Sequence, residues 1–342
     1  MTLRALLKNT AMSAGDQRGV ALIIVLWIFI FLFVVAFDFT ASVREEATAA
    51  QRFSDETQGY YLALAGFERG LYEFLHQRPG GAPQPRDAEA KKDDLFDGSW
   101  REENFGAGSF RVRLIDEGGK INLNRTNEES LRRVFTNLGV DKGRLDTLVD
   151  SIMDWRDADE LHRINGAESD YYLTQSPPYT ARNGPLDSVE DLLWIKGMTP
   201  DLYYGTGTAT EPSAANPPVI ALKDIFTIHS PIDRVNLRTA SAAVIHAVMG
   251  ISLEKARRFV EERNKLSEKT LADLLPLLGI GSGDPALRLF IFTNPSVVAV
   301  EAEGKLADSR LRRRVKGIVR LGGARGYELL QWLDRDFPLP QS

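Results

Sequence analysis

The stretch GVALIIVLWIFIFLFVVAFDF, residues 19–39, decides how the rest of the chain is read. Residues 20–37 are apolar without a break, eighteen in a row. At ~1.5 Å rise per residue that run covers about 27 Å, close to a bilayer core of about 30 Å. Arg18 stands just before it, and Arg4 and Lys8 lie upstream. Positive charge on that side predicts that the N-terminus stays in the cytoplasm. Everything after Asp38 is then a body held across the membrane on one helix.

Three readings fit this segment. A cleaved secretory signal wants an apolar core of about 7–15 residues and a small-x-small site at its far end. Here the core is longer, and Ala41-Ser42 comes late. A plain signal anchor needs only the apolar run. A prepilin-type leader, cut between Gly19 and Val20 by a prepilin peptidase, accounts in addition for the short basic leader and the helix that starts at once.

Working outward, 342 residues leave room for two modest domains beside the anchor. The net charge of −5 gives no sign of a polyanion partner. With no cysteine, the body is held by its core or by metal. Phe53, Tyr60, Leu64, Phe67, Leu71 and Phe74 recur at helical spacing and predict one apolar face, so the helix is expected to run over residues 20–77. Gly59, Gly66 and Gly70 weaken that helix by up to ~1 kcal/mol each, yet permit close packing. PGGAPQP and KKDD mark residues 78–103 as a linker. FRVRLI, residues 110–115, alternates as a half-buried strand, and DEGGK after it is a turn.

From residue 120 to about 292 helix signals dominate, with a weak internal repeat. KINLNRT (120–126) recurs as RVNLRTA (234–240), each followed by a helix. LDSVEDLLWIKGMTPDLY (186–203) and KTLADLLPLLGIG (269–281) then follow as units resembling helix-hairpin-helix motifs, with Ser or Thr caps and an apolar-x-Gly-apolar hairpin filled by Ile195, Gly197 and Met198. Strand signals return in SVVAVEAEG (296–304) and RLRRRVKGIVRLGG (310–323), read as a hairpin. GYELLQWLDR (326–335) is a strand or a short helix. The sheet opened at Phe110 is thus completed about 180 residues later. Three consecutive domains would instead leave residues 110–115 as an unprotected edge.

Residues 154–170 hold Asp157, Asp159, Glu160, Glu168 and Asp170 among Asn165, Gly166 and two tyrosines. Hard cations such as calcium take six to eight oxygens, often from closely spaced carboxylates on a loop. The spacing is not an EF-hand, and a solvated acidic loop reads equally well. The four histidines show no ligand spacing, and there is no cysteine nucleophile, so no enzyme is expected. A membrane-anchored DNA receptor is the rival, since helix-hairpin-helix units grip phosphates. Residues 120–293, however, hold 20 Lys/Arg and 24 Asp/Glu, and phosphate grip needs a net basic face, so no nucleic acid is expected.

Taken together, the leader, the long helix, the small sheet, and the ordered INLN, DWRDAD, NGAESDYY and DSVEDLLWIKGM resemble the K-class minor pseudopilin of the bacterial type II secretion system. Ile24, fifth after the expected cut, supports this. Most pilin-like subunits carry Glu there, and a carboxylate at the bilayer centre costs ~2.5 kcal/mol or more without a partner. A tip subunit has no subunit ahead to pair with, and the K class lacks that Glu too. The resemblance implies an α+β, pilin-like fold with a large all-α insertion containing helix-hairpin-helix/SAM-like repeats. Its expected parts are a leader (1–19), a membrane segment (20–39), pilin-like α/β parts (40–119 and 294–342) and the insertion (120–293). It implies a subunit that caps and helps initiate the periplasmic pseudopilus from the inner membrane, with I- and J-class minor pseudopilins as partners. It also implies bound calcium, for which Asp157, Asp159 and Glu168, with Asn183, are the expected ligands.

Overall fold

The computed structural model describes residues 17–76, 95–96, 98–205, 220–266, 270–281, 283–307, 309, 311–323 and 326–334. It describes side chains from residue 21 on. Most of the leader, residues 1–16, and most of the expected linker lie outside these residues, and nothing of the side chains at Gly19 and Val20 is described. In chain order the elements begin with α1 (Gln17–His76), β1 (Arg101–Phe105) and β2 (Gly108–Asp116). Then come β3 (Ile121–Asn122), α2 (Glu128–Asn137), α3 (Lys142–Arg156), α4 (Ser169–Tyr172), α5 (Pro200–Tyr204), α6 (Leu222–Ile225) and β4 (Phe226–Thr227). They are followed by β5 (Val235–Asn236), α7 (Ala242–Met249), α8 (Leu253–Lys265), α9 (Leu271–Leu278) and β6 (Phe290–Ile291). The chain closes on β7 (Val297–Leu306), β8 (Arg312–Leu321) and β9 (Tyr327–Leu333).

The chain divides into two units, residues 1–58 and 59–342. The described part of the first is helix, with its apolar residues 21–35 exposed throughout. Its most apolar window has a mean hydropathy of 3.0, enough by length and composition to cross a membrane. Helix satisfies its own backbone, which a bilayer core demands. Phe53 departs from the expected apolar face and is 73% exposed. The spacing argument carried the face about two turns too far toward the anchor.

In the second unit the rest of α1 packs on a five-stranded antiparallel sheet of order β1-β2-β7-β8-β9. Phe67, Leu71 and Phe74 meet Phe110, Val112, Leu114, Val298, Val300 and Val315 in one buried cluster. The helix glycines set the approach. A Cβ on Gly66 would lie 2.9 Å from the Phe110 ring, and one on Gly70 2.8 Å from both Val112 and Val300. β2 pairs with β7 from Gly108↔Leu306 to Asp116↔Val298, so the sheet is indeed closed across the intervening helices. The last segment is a strand, β9. One element corrects the sequence reading: β1 lies at the end of the expected linker and forms a hairpin with β2. Its REENF is nearly all polar and exposed, as an edge strand that discourages further pairing should be.

Between β2 and β7 lie two similar halves, sharing one core. Each opens on a two-residue parallel ladder, β3 with β4 and β5 with β6. In each, a buried Asn locks the ladder. Asn122 Oδ1 accepts from Asn124 N at 2.7 Å while its Nδ2 donates to Ser230 O at 2.5 Å. Asn236 Oδ1 accepts from Arg238 N at 3.3 Å while its Nδ2 donates to Thr293 O at 3.0 Å. In each, the arginine near the end of the second helix reaches back to the same two carbonyls. Arg156 donates to Leu123 O and Thr126 O, and Arg263 to Leu237 O and Ala240 O. Asp191 and Asp273 then accept from the N–H and hydroxyl of Ser188 and Thr270 to start the next short helix. Gly279 closes the second of these helices at φ of 74°, and Gly197, two residues past Ile195 which closes the first, holds φ of 86°, a region that favours glycine.

The halves are clamped to the sheet by polar contacts. Asp116, the last residue of β2, accepts from Asn236 Nδ2 at 2.8 Å and Thr239 Oγ1 at 2.7 Å. Buried Glu117 accepts from Thr227 Oγ1 and from Lys120 Nζ, the latter at 2.9 Å. His229 Nε2 and Gln331 Oε1 lie 3.1 Å apart, linking the first half to β9.

Candidate metal centre

The acidic loop begins where α3 ends. Asp157 is the residue that closes α3, its N–H donating to Met153 O at 3.1 Å. Its carboxylate is therefore carried on a fixed helix terminus. Glu168 precedes α4 in the position where an acidic side chain usually caps the helix, yet it makes no capping hydrogen bond. Its carboxylate turns instead to the loop. Carboxylate oxygens of Asp157, Asp159 and Glu168 lie within 4.8 Å of one another.

Several of these oxygens are buried without a partner among the described residues: Asp157 Oδ1, both oxygens of Glu168, and Asn183 Oδ1. A buried polar atom left unpaired costs roughly 1–3 kcal/mol, so four in one loop call for a ligand. Asn183 likewise leaves its oxygen unpaired. Its Nδ2 donates to Glu160 Oε1 at 2.8 Å, which leaves Oδ1 as the free end. The residue holds φ of 50°, left-handed and unusual outside glycine. Glu160 in turn accepts from Ser169 N and Oγ at 3.2 and 3.0 Å.

Electrostatics point the same way. Burial, then the nearby carboxylates of Asp154, Asp157 and Glu160, push the Glu168 carboxyl up to about 7. Burial, then Asp159, raises Asp157. Negative charge is crowded here with too little to balance it, the state that a bound cation relieves. The donor set is all oxygen, carboxylate and amide, which suits a hard cation.

The structure thus gathers three of the expected residues, Asp157, Asp159 and Glu168, and ties Asn183 to their loop through Glu160. Sequence reasoning missed what supports them. Fully buried Asp154 accepts from Arg163 N at 3.2 Å and pairs with its guanidinium, Nε lying 3.4 Å away. Gly166 sits against Asp154 so closely that a Cβ would collide with the carboxylate. Tyr172 packs edge-on to Trp155, centroids 5.1 Å apart, and anchors the loop in the core. Gly166 within NGAESDYY was the one visible signal, since a glycine among carboxylates marks close backbone approach.

Comparison with known proteins agrees with this architecture. A family model described as type II secretion system (T2SS), protein K, first domain, matches residues 112–205, which include the acidic loop. The putative type II secretion system protein K of Escherichia coli K12 is 29% identical over 209 residues, covering 55% of this chain and 60% of that protein. Type II secretion system protein K of Klebsiella pneumoniae is 28% identical over 200 residues, with the same coverage. That of Pseudomonas aeruginosa is 28% identical over 229 residues, 63% of this chain and 64% of the relative. The chain therefore spans about 60% of the length of the curated relatives it matches. In fold, it is similar to a chain of the crystal structure of the GspK-GspI-GspJ complex from enterotoxigenic E. coli, with a TM-score of 0.59 at 16% identity. That likeness covers 85% of this chain and 100% of the other. An anchor-length apolar helix, a sheet closed around paired helical halves, and a sequence match through the acidic loop make this chain similar, over part of its length, to type II secretion system protein K.

Proposed function

We propose that the chain is a minor pseudopilin that caps the tip of the periplasmic pseudopilus in type II secretion and helps to start its assembly. The observation that carries this reading is the pair of helical halves inserted between β2 and β7. They add a bulky body to a slim helix-and-sheet subunit, too wide to repeat at filament spacing. Ile24 fits the same role, since a tip subunit has no terminal amine ahead to neutralise. The chain acts as a structural subunit and not as an enzyme. Its partners are the I- and J-class minor pseudopilins, in keeping with the GspK-GspI-GspJ complex that its fold resembles. It sits in the bacterial inner membrane on α1 with its body in the periplasm, after prepilin peptidase has cut between Gly19 and Val20. The helical halves are helix-hairpin-helix-type units put to packing use: a Cβ on Gly197 would already lie 3.2 Å from Thr147 and 3.4 Å from Leu148.

Asp157, Asp159, Glu168 and Asn183 hold a calcium ion that fastens the acidic loop to the first half. The unpartnered oxygens support this reading. For the tip role, overproducing the full chain in a secreting strain is the test. Pseudopili should become shorter, and a version lacking residues 120–293 should shorten them less. Pseudopili of normal length under overproduction would sink the proposal.

A further inference from the structure

A cavity of about 150 Å³ lies between the two helical halves, away from the acidic loop. One wall is the start of α2, with Thr126, Ser130 and Arg133. The other carries Arg234, just before β5, and Arg288, just before β6. Ile121, Val134 and Val235 give it an apolar floor. Three guanidinium groups thus rim the cavity, against one lining carboxylate, Asp233.

Two features set these groups apart from ordinary surface charge. Arg234 and Arg288 form no ion pair among the described residues, whereas most arginines of the second unit do. Arg133 spends one arm on Glu129, 2.8 Å away and 80% exposed at its side chain, and keeps its other donors. In addition, Thr126 is 4% exposed and lines the cavity, yet its hydroxyl makes no hydrogen bond among the described residues. A hydroxyl that opens on the cavity without a partner, beside two unpaired guanidinium groups, a third with spare donors and the positive end of a ten-residue helix, marks a place for an anion.

Size and floor narrow the ligand. Cavities that take drug-sized molecules start near 300 Å³, so this one admits a single anionic group and a short stem. The apolar floor favours methylene groups behind the charge and argues against a bare phosphate. We infer that this cavity receives a carboxylate on a short apolar stem, as an acidic and apolar peptide segment of a partner protein presents it.

The test uses the full chain in detergent micelles and a fluorescent, end-capped peptide of alternating Leu and Glu, read by anisotropy. Binding is expected, and the Leu-Gln counterpart should bind at least about tenfold more weakly, as loss of a charge-assisted hydrogen bond implies. Arg234→Glu with Arg288→Glu should weaken the Leu-Glu peptide by at least about tenfold. Arg144→Glu with Arg257→Glu makes the same charge change outside the cavity and should leave affinity unchanged. Thr126→Val, with an unchanged melting temperature, should weaken it severalfold. Glutarate competing as well as the peptide, mole for mole, would assign the carboxylate to a free small acid. Inorganic phosphate competing equally would overturn the carboxylate assignment. So would an affinity that the cavity variants leave unchanged.

Discussion

The two helical halves share a frame and differ in one stretch. Both have the ladder, the locking Asn, the arginine that reaches back to two carbonyls, and the Asp that caps the next helix. In the second half the chain passes from Arg263 to Thr270 through residues 264–269 only. In the first it passes from Arg156 to Ser188 through residues 157–187, and all four expected metal ligands lie on that detour. The frame therefore closes without the loop. The loop is an added layer, held to the frame by Tyr172 and Trp155, and it carries the unpaired oxygens. Buried Arg263 shows the other side of the comparison. It is 2% exposed, while Arg156 is only partly buried, so the half without a loop encloses its arginine more fully.

Three experiments can break or sharpen this comparison. The largest effect is expected at the shared arginines. Arg263→Ala should cost roughly 3 kcal/mol, because two carbonyls lose their donor and a fully enclosed side chain leaves a void. Arg156→Ala should cost less, because water reaches the site. Equal shifts in denaturant midpoint for the two variants would show that enclosure does not separate the halves. Next comes the cation. Calcium at 100 times its dissociation constant should stabilise the chain by about 2.7 kcal/mol, and chelator should remove that gain. Hydrogen exchange should then rise over residues 157–187 and stay unchanged over α7 in the second half. Glu168→Gln should abolish the response, and a melting curve indifferent to chelator in the parent chain would rule out a structural ion.

The smallest effect is expected from pH. With calcium removed, Glu168 in the folded chain takes up its proton near 7, against about 4.5 when unfolded. A raised carboxyl favours the folded state at low pH, and that contribution is lost as pH rises from about 4.5 through 7. In chelator the protein should therefore be more stable at pH 6 than at pH 8, by on the order of 1 kcal/mol. Glu168→Gln should flatten the difference. In calcium the proton competes with the ion, and affinity should fall as pH drops below 7.

Much of the frame is legible in the sequence, for physical reasons. The anchor follows from hydropathy, and the sheet closed across 180 or so residues follows from period-two alternation and the cost of a bare edge. KINLNRT and RVNLRTA betray the repeat because the locking Asn must recur where the ladder recurs. Other parts leave little trace. β1 is a short polar edge strand whose pairing is backbone alone, so REENF reads as linker. Arg156 and Arg263 sit in unrelated local contexts, DWRDAD and EERNKL, and only three dimensions make them equivalent. The acidic cluster was visible as spacing, with Gly166 among its carboxylates, but not the burial of Asp154 beneath it. Phe53 misled because helical spacing continues whether or not a sheet lies opposite.

The way the insertion leaves the sheet has a mechanical consequence. A domain hung on a strand by two loose tethers swings, and a load on one part is spent in the hinge. Here the junction is bolted from both sides. Asp116 at the end of β2 grips the second half through Asn236 and Thr239, and Glu117 one residue on grips the first through Thr227. His229 and Gln331 add a third fastening on β9. Force delivered to the sheet is therefore passed to both helical halves with no slack to take up. A part built this way can transmit a thrust as a ram head does, the stiffness residing in a handful of buried polar contacts at the joint.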